Sequence, residues 1–383
     1  MRIACFWGEA RSLARISFRH EHLIDGFAAL GHEPVLVTAR PWLGGFRGPA
    51  ELVDDLAELE RPESWRRRNF DLAVGLTWLR KTPLLAAIAA AGLPRVAIAD
   101  SDGQLGYAAH PRLAWRRIGP YQRSPRERLR AAVYFVRRYA ASRSRRDPED
   151  LEFLASARAS SRIAFGSAEA IQCWRRFLRQ QGAEELGTRA FVAPFPVPDS
   201  FCQGVIPQKE DRVVAIGRWS DPQKDANLLA DVLVRFLTRN RATRVELFGA
   251  DGEAVFGKLA ARFPRLELRG VQEPPVVREA LAASRVLLFA SRWETGPHAA
   301  GEALAAGATL VSPPMPNFAG MIENGRYGAL ARDRTPGALA DALAAELANW
   351  DRGERDAQGI AATWRARLNP RTFCTTLLES VAS

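Results

Sequence analysis

Lysine is scarce in this sequence: there are four, although lysine and arginine together number 54. A coding preference explains that bias more readily than selection for the guanidinium fork that matches phosphate. It also makes a lysine inside a motif stand out, and Lys224 is one. The four cysteines, Cys5, Cys173, Cys202 and Cys374, are too scattered for a disulfide framework or a metal spacing. The five histidines show no ligand spacing either. The most apolar run, 84–94, is too short to cross a bilayer. Met1-Arg-Ile-Ala-Cys-Phe-Trp7 reads as a first strand and not as a secretory leader, so a reducing cytoplasm is the expected compartment. No Gly-x-Gly-x-x-Gly follows that strand, which sets a dinucleotide oxidoreductase aside.

What is present describes a globular protein. Of the 383 residues 47% are hydrophobic and 25% charged, with a formal net charge of +11. That length accommodates two domains with separate cores. In the first half, apolar strands at 3–7, 35–38, 71–76 and 95–99 alternate with helices near 18–30 and 84–91. Strands at 159–165 and 189–193, around a helix at 168–180, close that half. A proline-rich hinge, Pro194-Phe-Pro-Val-Pro-Asp199, follows. The second half restarts the alternation. Strands fall at 213–217, 245–249, 266–270, 286–290 and 309–312, and helices at 226–238, 254–263, 276–283 and 297–306. Further helices are expected at 336–350 and near 370–381. The order βαβα implies parallel sheets flanked by helices, with ligands at the C-terminal ends of the strands.

Within the first half, residues 112–146 are rich in arginine. Leu129, Val133, Val136 and Ala140 recur at helical spacing among Arg126, Arg130, Arg137 and Arg138. Two readings fit: a basic amphipathic helix for an anionic membrane or lipid-linked phosphate, or a surface helix packing its stripe on its own domain. Nucleic acid is not an expected partner, because no aromatic-basic motif or recognition-helix pattern accompanies the charge.

Two stretches carry chemistry. In Gly217-Arg-Trp-Ser-Asp-Pro-Gln-Lys224-Asp225 a strand ends in glycine, and Arg218 and Lys224 follow before a helix. Two cations at a sheet's C-terminal edge suit a diphosphate and the charge that grows on it as it leaves. In Ser291-Arg-Trp-Glu-Thr-Gly-Pro-His-Ala-Ala-Gly-Glu302 one carboxylate, Glu294, precedes a helix N-terminus and another, Glu302, lies within the helix. Pro297 is expected at the first helical position, and the free N–H groups there attract anions. A glutamate among Ala, Gly and Leu is costly to bury without donors, and sugar hydroxyls are suitable donors.

Gly217-Arg218…Lys224, then Glu294-x7-Glu302 and Ala303-Leu-Ala-Ala-Gly307, resemble the retaining GT-B glycosyltransferases of the GT4 family. Asn324-Gly-Arg-Tyr-Gly328 and Gly31-His32-Glu33 fall where that family has similar turns. The resemblance implies an α/β fold of two Rossmann-like domains facing a cleft, with the C-terminal helix crossing back to the N-terminal domain. It divides the chain into an acceptor domain, 1–205 with helix 368–383, and a donor domain, 206–367. It implies a glycosyltransferase that uses a nucleotide-diphosphate sugar (UDP or GDP), needs no cofactor or metal, and acts on a glycan, lipid-linked or small-molecule acceptor. Arg218 and Lys224 would hold the diphosphate, Glu294 the sugar and Glu302 the ribose. Gly8, Gly217, Thr295, Gly296 and Pro297 would line the donor.

On the acceptor side, Asp100 and Asp102 stand after the fourth strand, where relatives carry a histidine. Either aspartate would orient the acceptor or act as a base, unless Asp102-Gly103 simply makes a turn. Arg15 and His20 are further acceptor candidates. Rival readings are an epimerase or phosphorylase of the same fold, and a non-catalytic nucleotide-binding partner. The protein is expected in the cytoplasm, with peripheral association at the inner face of the membrane as a further possibility.

Overall fold

The computed structural model describes residues 1–7, 18–39, 48–77, 82–118 and 124–382. The chain divides into two compact units, 1–198 with 369–383, and 199–368.

In the first unit the order runs β1 (Arg2–Trp7), α1 (Phe18–Ala28), β2 (Glu33–Ala39), β3 (Ala50–Val53), α2 (Pro62–Arg66), β4 (Leu72–Leu76), α3 (Thr82–Ala90) and β5 (Arg95–Ala99). It continues through α4 (Pro111–Ile118), α5 (Pro125–Arg143), α6 (Pro148–Ala159), β6 (Arg162–Phe165), α7 (Ala168–Gln181) and β7 (Ala190–Val192). Among the described residues the strands form one parallel sheet, β3-β2-β1-β4-β5-β6-β7. Alternation along β1 explains why its strand is apolar from Ile3 to Phe6. Ile3 and Cys5 pack on one face with α1, and Ala4 and Phe6 pack on the other with α3 and Trp65.

The second unit contains α8 (Asp199–Cys202), β8 (Glu210–Ile216), α9 (Ala226–Arg239), β9 (Arg244–Phe248), α10 (Gly252–Arg262), β10 (Leu266–Gly270), α11 (Pro274–Ala283) and β11 (Ser284–Leu288). After these come α12 (His298–Ala305), β12 (Thr309–Ser312), α13 (Pro316–Ile322), β13 (Gly328–Leu330), α14 (Pro336–Asp351) and α15 (Ala357–Leu368). Its sheet is parallel in the order β10-β9-β8-β11-β12-β13. The order reverses between β8 and β11, so the loops leaving those two neighbours open side by side at one edge. Such a switch point is where open α/β sheets bind ligands.

The last helix, α16 (Pro370–Ala382), belongs to the first unit, where Phe373, Cys374 and Leu377 are buried against Leu23, Ile24 and Phe27 of α1. Gly26 permits this approach: a Cβ there would lie 2.6 Å from both Cys374 Sγ and the Pro370 carbonyl oxygen. At the other end of the second unit, the units separate at Pro198, ahead of the expected 205. The reason is α8, whose Phe201 is buried and which packs on α12 and α15.

Candidate functional site

The loop after β8 is shaped by close backbone approaches. Gly249, with φ of +114°, lies so close to Gly217 that a Cβ would sit 1.9 Å from the Gly217 carbonyl oxygen. A Cβ on Gly217 itself would meet the Trp219 ring at 2.9 Å and Lys224 Cγ at 3.2 Å. Trp219 is buried edge-on to Phe256 and anchors the loop from below. Asp221 caps a single 3-10 turn, Pro222–Lys224, by accepting from the Gln223 N–H at 2.9 Å. Asp225 then takes a left-handed conformation (φ +47°) and starts α9.

This turn presents Lys224 to the loop after β11. Lys224 Nζ lies 2.7 Å from Glu294 Oε1, and Gln223 Nε2 donates to Glu294 Oε2 at 3.3 Å and to the Trp293 carbonyl at 2.9 Å. The Arg292 N–H donates to the Gln223 carbonyl at 2.7 Å, joining the two loops through their backbones. Asn317, on α13, holds the next segment by donating to the carbonyls of Glu294 and Thr295 at 2.9 and 3.1 Å. Glu294 is therefore a buried carboxylate positioned from three sides.

Beneath the pair lies a clamp. Asp225 accepts from Arg292 at 3.0 Å and from Arg334 at 2.6 Å, and Arg334 also donates to the carbonyls of Ala290 and Ser291. Arg334 thereby ties together loops that follow β8, β11 and β13. Gln223, Asp225, Arg292, Asn317 and Arg334 could not be picked out in the sequence, because nothing in local spacing relates Asp225 to a residue 109 positions later.

Arg218 stands apart from the pair. Its guanidinium is 2.8 Å from Asp221 Oδ2, and 73% of the side chain is exposed. Glu302 lies half-buried on α12, and its carboxylate meets no donor among the described residues. Burial pushes it up to about 7 from an ordinary 4.5, since nothing offsets the loss of hydration. Pro297 is not the first helical residue. It caps α12 from outside, with ψ of 73°, and its ring leaves no side-chain cap for the helix start.

In the first unit, Asp100 and Asp102 are buried in the loop after β5. Asp102 Oδ1 accepts from the Gln104 N–H at 3.0 Å, and both its oxygens lie 3.4 Å from Arg117 Nη2. Gly103, with φ of +70°, presses against α7, where a Cβ would sit 1.8 Å from the Ala170 carbonyl oxygen. The Asp102 carboxylate thus shapes its own turn. His20 lies on the first turn of α1, whereas Gly8 and Arg15 fall outside the described residues. Among the described residues no three His, Cys, Asp or Glu side chains gather as a metal site.

Residues 210–349 match the family model described as group 1 glycosyl transferases. No curated protein matches the chain. Its fold is similar to Anabaena HepE, solved with UDP, over the whole of both chains, at 15% identity and a TM-score of 0.65. Sucrose-phosphate synthase from Thermosynechococcus elongatus gives 14% identity and 0.64 over 99% of this chain and 97% of its own. The lipopolysaccharide outer core galactosyltransferase WaaB gives 14% and 0.61 over 100% and 99%. Residues 210–349 thus match a group 1 glycosyl transferase domain, and the chain has the fold seen in GT-B glycosyltransferase structures.

Proposed function

We propose that the protein moves a sugar from a nucleoside diphosphate sugar, linked to UDP or GDP, to an acceptor hydroxyl. The observation that carries this reading is the Lys224–Glu294 pair at the switch point of the second sheet, followed on α12 by a carboxylate without a donor. A carboxylate fixed by Lys224, Gln223 and the loop backbone is suited to accept hydrogen bonds from sugar hydroxyls. Glu302 has unused acceptor capacity for the hydroxyls of the ribose. Lys224 and the exposed Arg218 neutralise the diphosphate, with Gly217 and Thr295–Pro297 supplying backbone close to it. HepE has been solved with UDP-glucose as well as with UDP, which fits a nucleotide sugar as ligand.

In the reaction the bond from the anomeric carbon to the phosphate oxygen breaks, and the acceptor oxygen bonds to that carbon. Charge grows on the departing diphosphate, where fixed cations lower the barrier because they need no reorganisation. The Asp102 carboxylate is engaged with Gln104 and Arg117. We therefore assign it to holding the acceptor-side loop together with Asp100, with His20 and Arg15 as further acceptor contacts. The leaving phosphate takes the acceptor proton, which places the acceptor on the leaving-group face and gives retention without a metal ion. We place the activity in the cytoplasm at the inner face of a membrane, where arginine-rich surface would bring the protein to a glycan or lipid-linked acceptor.

The test is release of nucleoside diphosphate from UDP- and GDP-sugars with and without acceptor extracts. Acceptor-dependent release should persist in EDTA. It should fall by about 100-fold or more in Lys224→Ala and Glu294→Gln, each folded as judged by circular dichroism. Acceptor-independent conversion of the sugar would instead identify an epimerase. Full activity in either variant would overturn the roles assigned to Lys224 and Glu294.

A further inference from the structure

The arginine-rich helix α5 does not bury its apolar stripe. Leu129, Val133 and Val136 are 66%, 61% and 63% exposed, and Ala140 continues their line. At 100° per residue these four positions fall within a band of about 60°. Arg126, Arg130 and Arg137 line one margin of that band, and Arg128 and Arg143 line the other. Arg126, Arg130, Arg137 and Arg143 make no ion pair among the described residues. The only acid on the helix, Glu127, is engaged in the capping box with Ser124.

The opposite face of α5 is fixed to its own unit. Arg138 pairs with the fully buried Asp147 at 2.5 and 2.7 Å and with Glu149 at 2.7 Å, and its guanidinium covers the Tyr107 ring. Ser142 donates to Asp150 at 2.5 Å, and Phe135 meets Trp115 of α4 edge-on at 5.5 Å. The helix therefore cannot roll its stripe inward without breaking these contacts. Trp115 itself is 40% exposed beside it.

We infer that this face of α5 docks on an anionic lipid surface, with Leu129, Val133 and Val136 entering the headgroup boundary and the flanking arginines holding lipid phosphates. Apolar side chains between two cationic margins match a bilayer, whose anionic headgroups lie on either side of the acyl region a helix enters. A second copy of the chain fits poorly, since its own α5 would set arginine against arginine. Nucleic acid would use the arginines and leave the stripe in water. The inference deepens the proposed location at a membrane and does not depend on the sugar-transfer chemistry.

Flotation of the full chain with vesicles tests it. Binding to phosphatidylglycerol-containing vesicles is expected, with binding to pure phosphatidylcholine weaker by about tenfold or more and high salt reversing it. Leu129→Ser/Val133→Ser/Val136→Ser and Arg126→Gln/Arg130→Gln/Arg137→Gln should each lose about tenfold or more in vesicle affinity. Both should keep the wild-type melting temperature and nucleotide affinity, which separates failure at the membrane from failure at the donor site. Absence of binding, undiminished binding by both variants, or a dimer or RNA complex that needs the stripe while vesicles are ignored would overturn the proposal.

Discussion

At the scale of single residues, Glu302 is the most informative side chain. Its folded-state value of about 7 lies above the ordinary 4.5, so the folded protein keeps this proton while the unfolded chain has lost it. Stability must therefore fall as pH rises from about 4.5 to 7, and the loss persists above 7. Glu302→Gln should remove that dependence and raise stability above pH 7 by about 1–3 kcal/mol, the side chain being only partly shielded from water. Denaturant melts of the two proteins at pH 5 and pH 8 measure it. A ribose hydroxyl donating to this carboxylate favours its charged form. Nucleotide affinity should thus rise through pH 7 in the wild type and stay flat in the variant. Glu302 was legible in the sequence as a carboxylate in an alanine-rich helix. What the sequence could not show was that none of the chain's many arginines pairs with it among the described residues.

Among elements, the Asp225 clamp governs how well the two site loops stay in register. Asp225 sits between Lys224 and α9, and its partners Arg292 and Arg334 come from the loops after β11 and β13. Removing Arg334 leaves a largely buried carboxylate with one partner fewer and three carbonyl and carboxylate acceptors unmet. Arg334→Ala should therefore cost on the order of 3 kcal/mol, and Asp225→Asn/Arg334→Met together should cost less than that single change. Urea melts compare the two. In the folded fraction Arg334→Ala should also weaken nucleotide binding, because Lys224 loses its fixed approach to Glu294. Wild-type affinity in a destabilised variant would mean that the clamp serves stability alone. The parts of the site that were legible lie in two short contiguous stretches, where glycine, lysine and glutamate fall at a strand end or helix start. The clamp was not legible because its contacts are set by the folding together of distant loops. The same limit applies to short elements. β3 fully buries only Val53 of its four residues, β13 has only Gly328–Leu330, and α13 spans only Pro316–Ile322, so none has enough periodicity to register. For α5 the helical spacing of the stripe was plain, but which side faced water depended on Arg138 meeting Asp147 at the start of α6.

For the molecule as a whole, strand alternation and its interruption by a proline-rich segment were enough to anticipate two parallel α/β sheets. The central strands of both sheets are apolar runs because helices cover both faces, which is a pattern a sequence carries openly. The return of α16 to the first unit was an expectation drawn from resemblance, and its physical basis is the space left by Gly26 for Cys374 and Pro370. The central claim is that the switch point between β8 and β11 is a nucleoside diphosphate site built on Lys224, Glu294 and Glu302. Calorimetric titration of the full chain with UDP, GDP, ADP and TDP tests it most directly. Saturable binding of one of these diphosphates is expected, UDP or GDP foremost, with Lys224→Ala weakening it by about tenfold or more. Binding of none of the four, or binding that Lys224→Ala leaves unchanged, would contradict it.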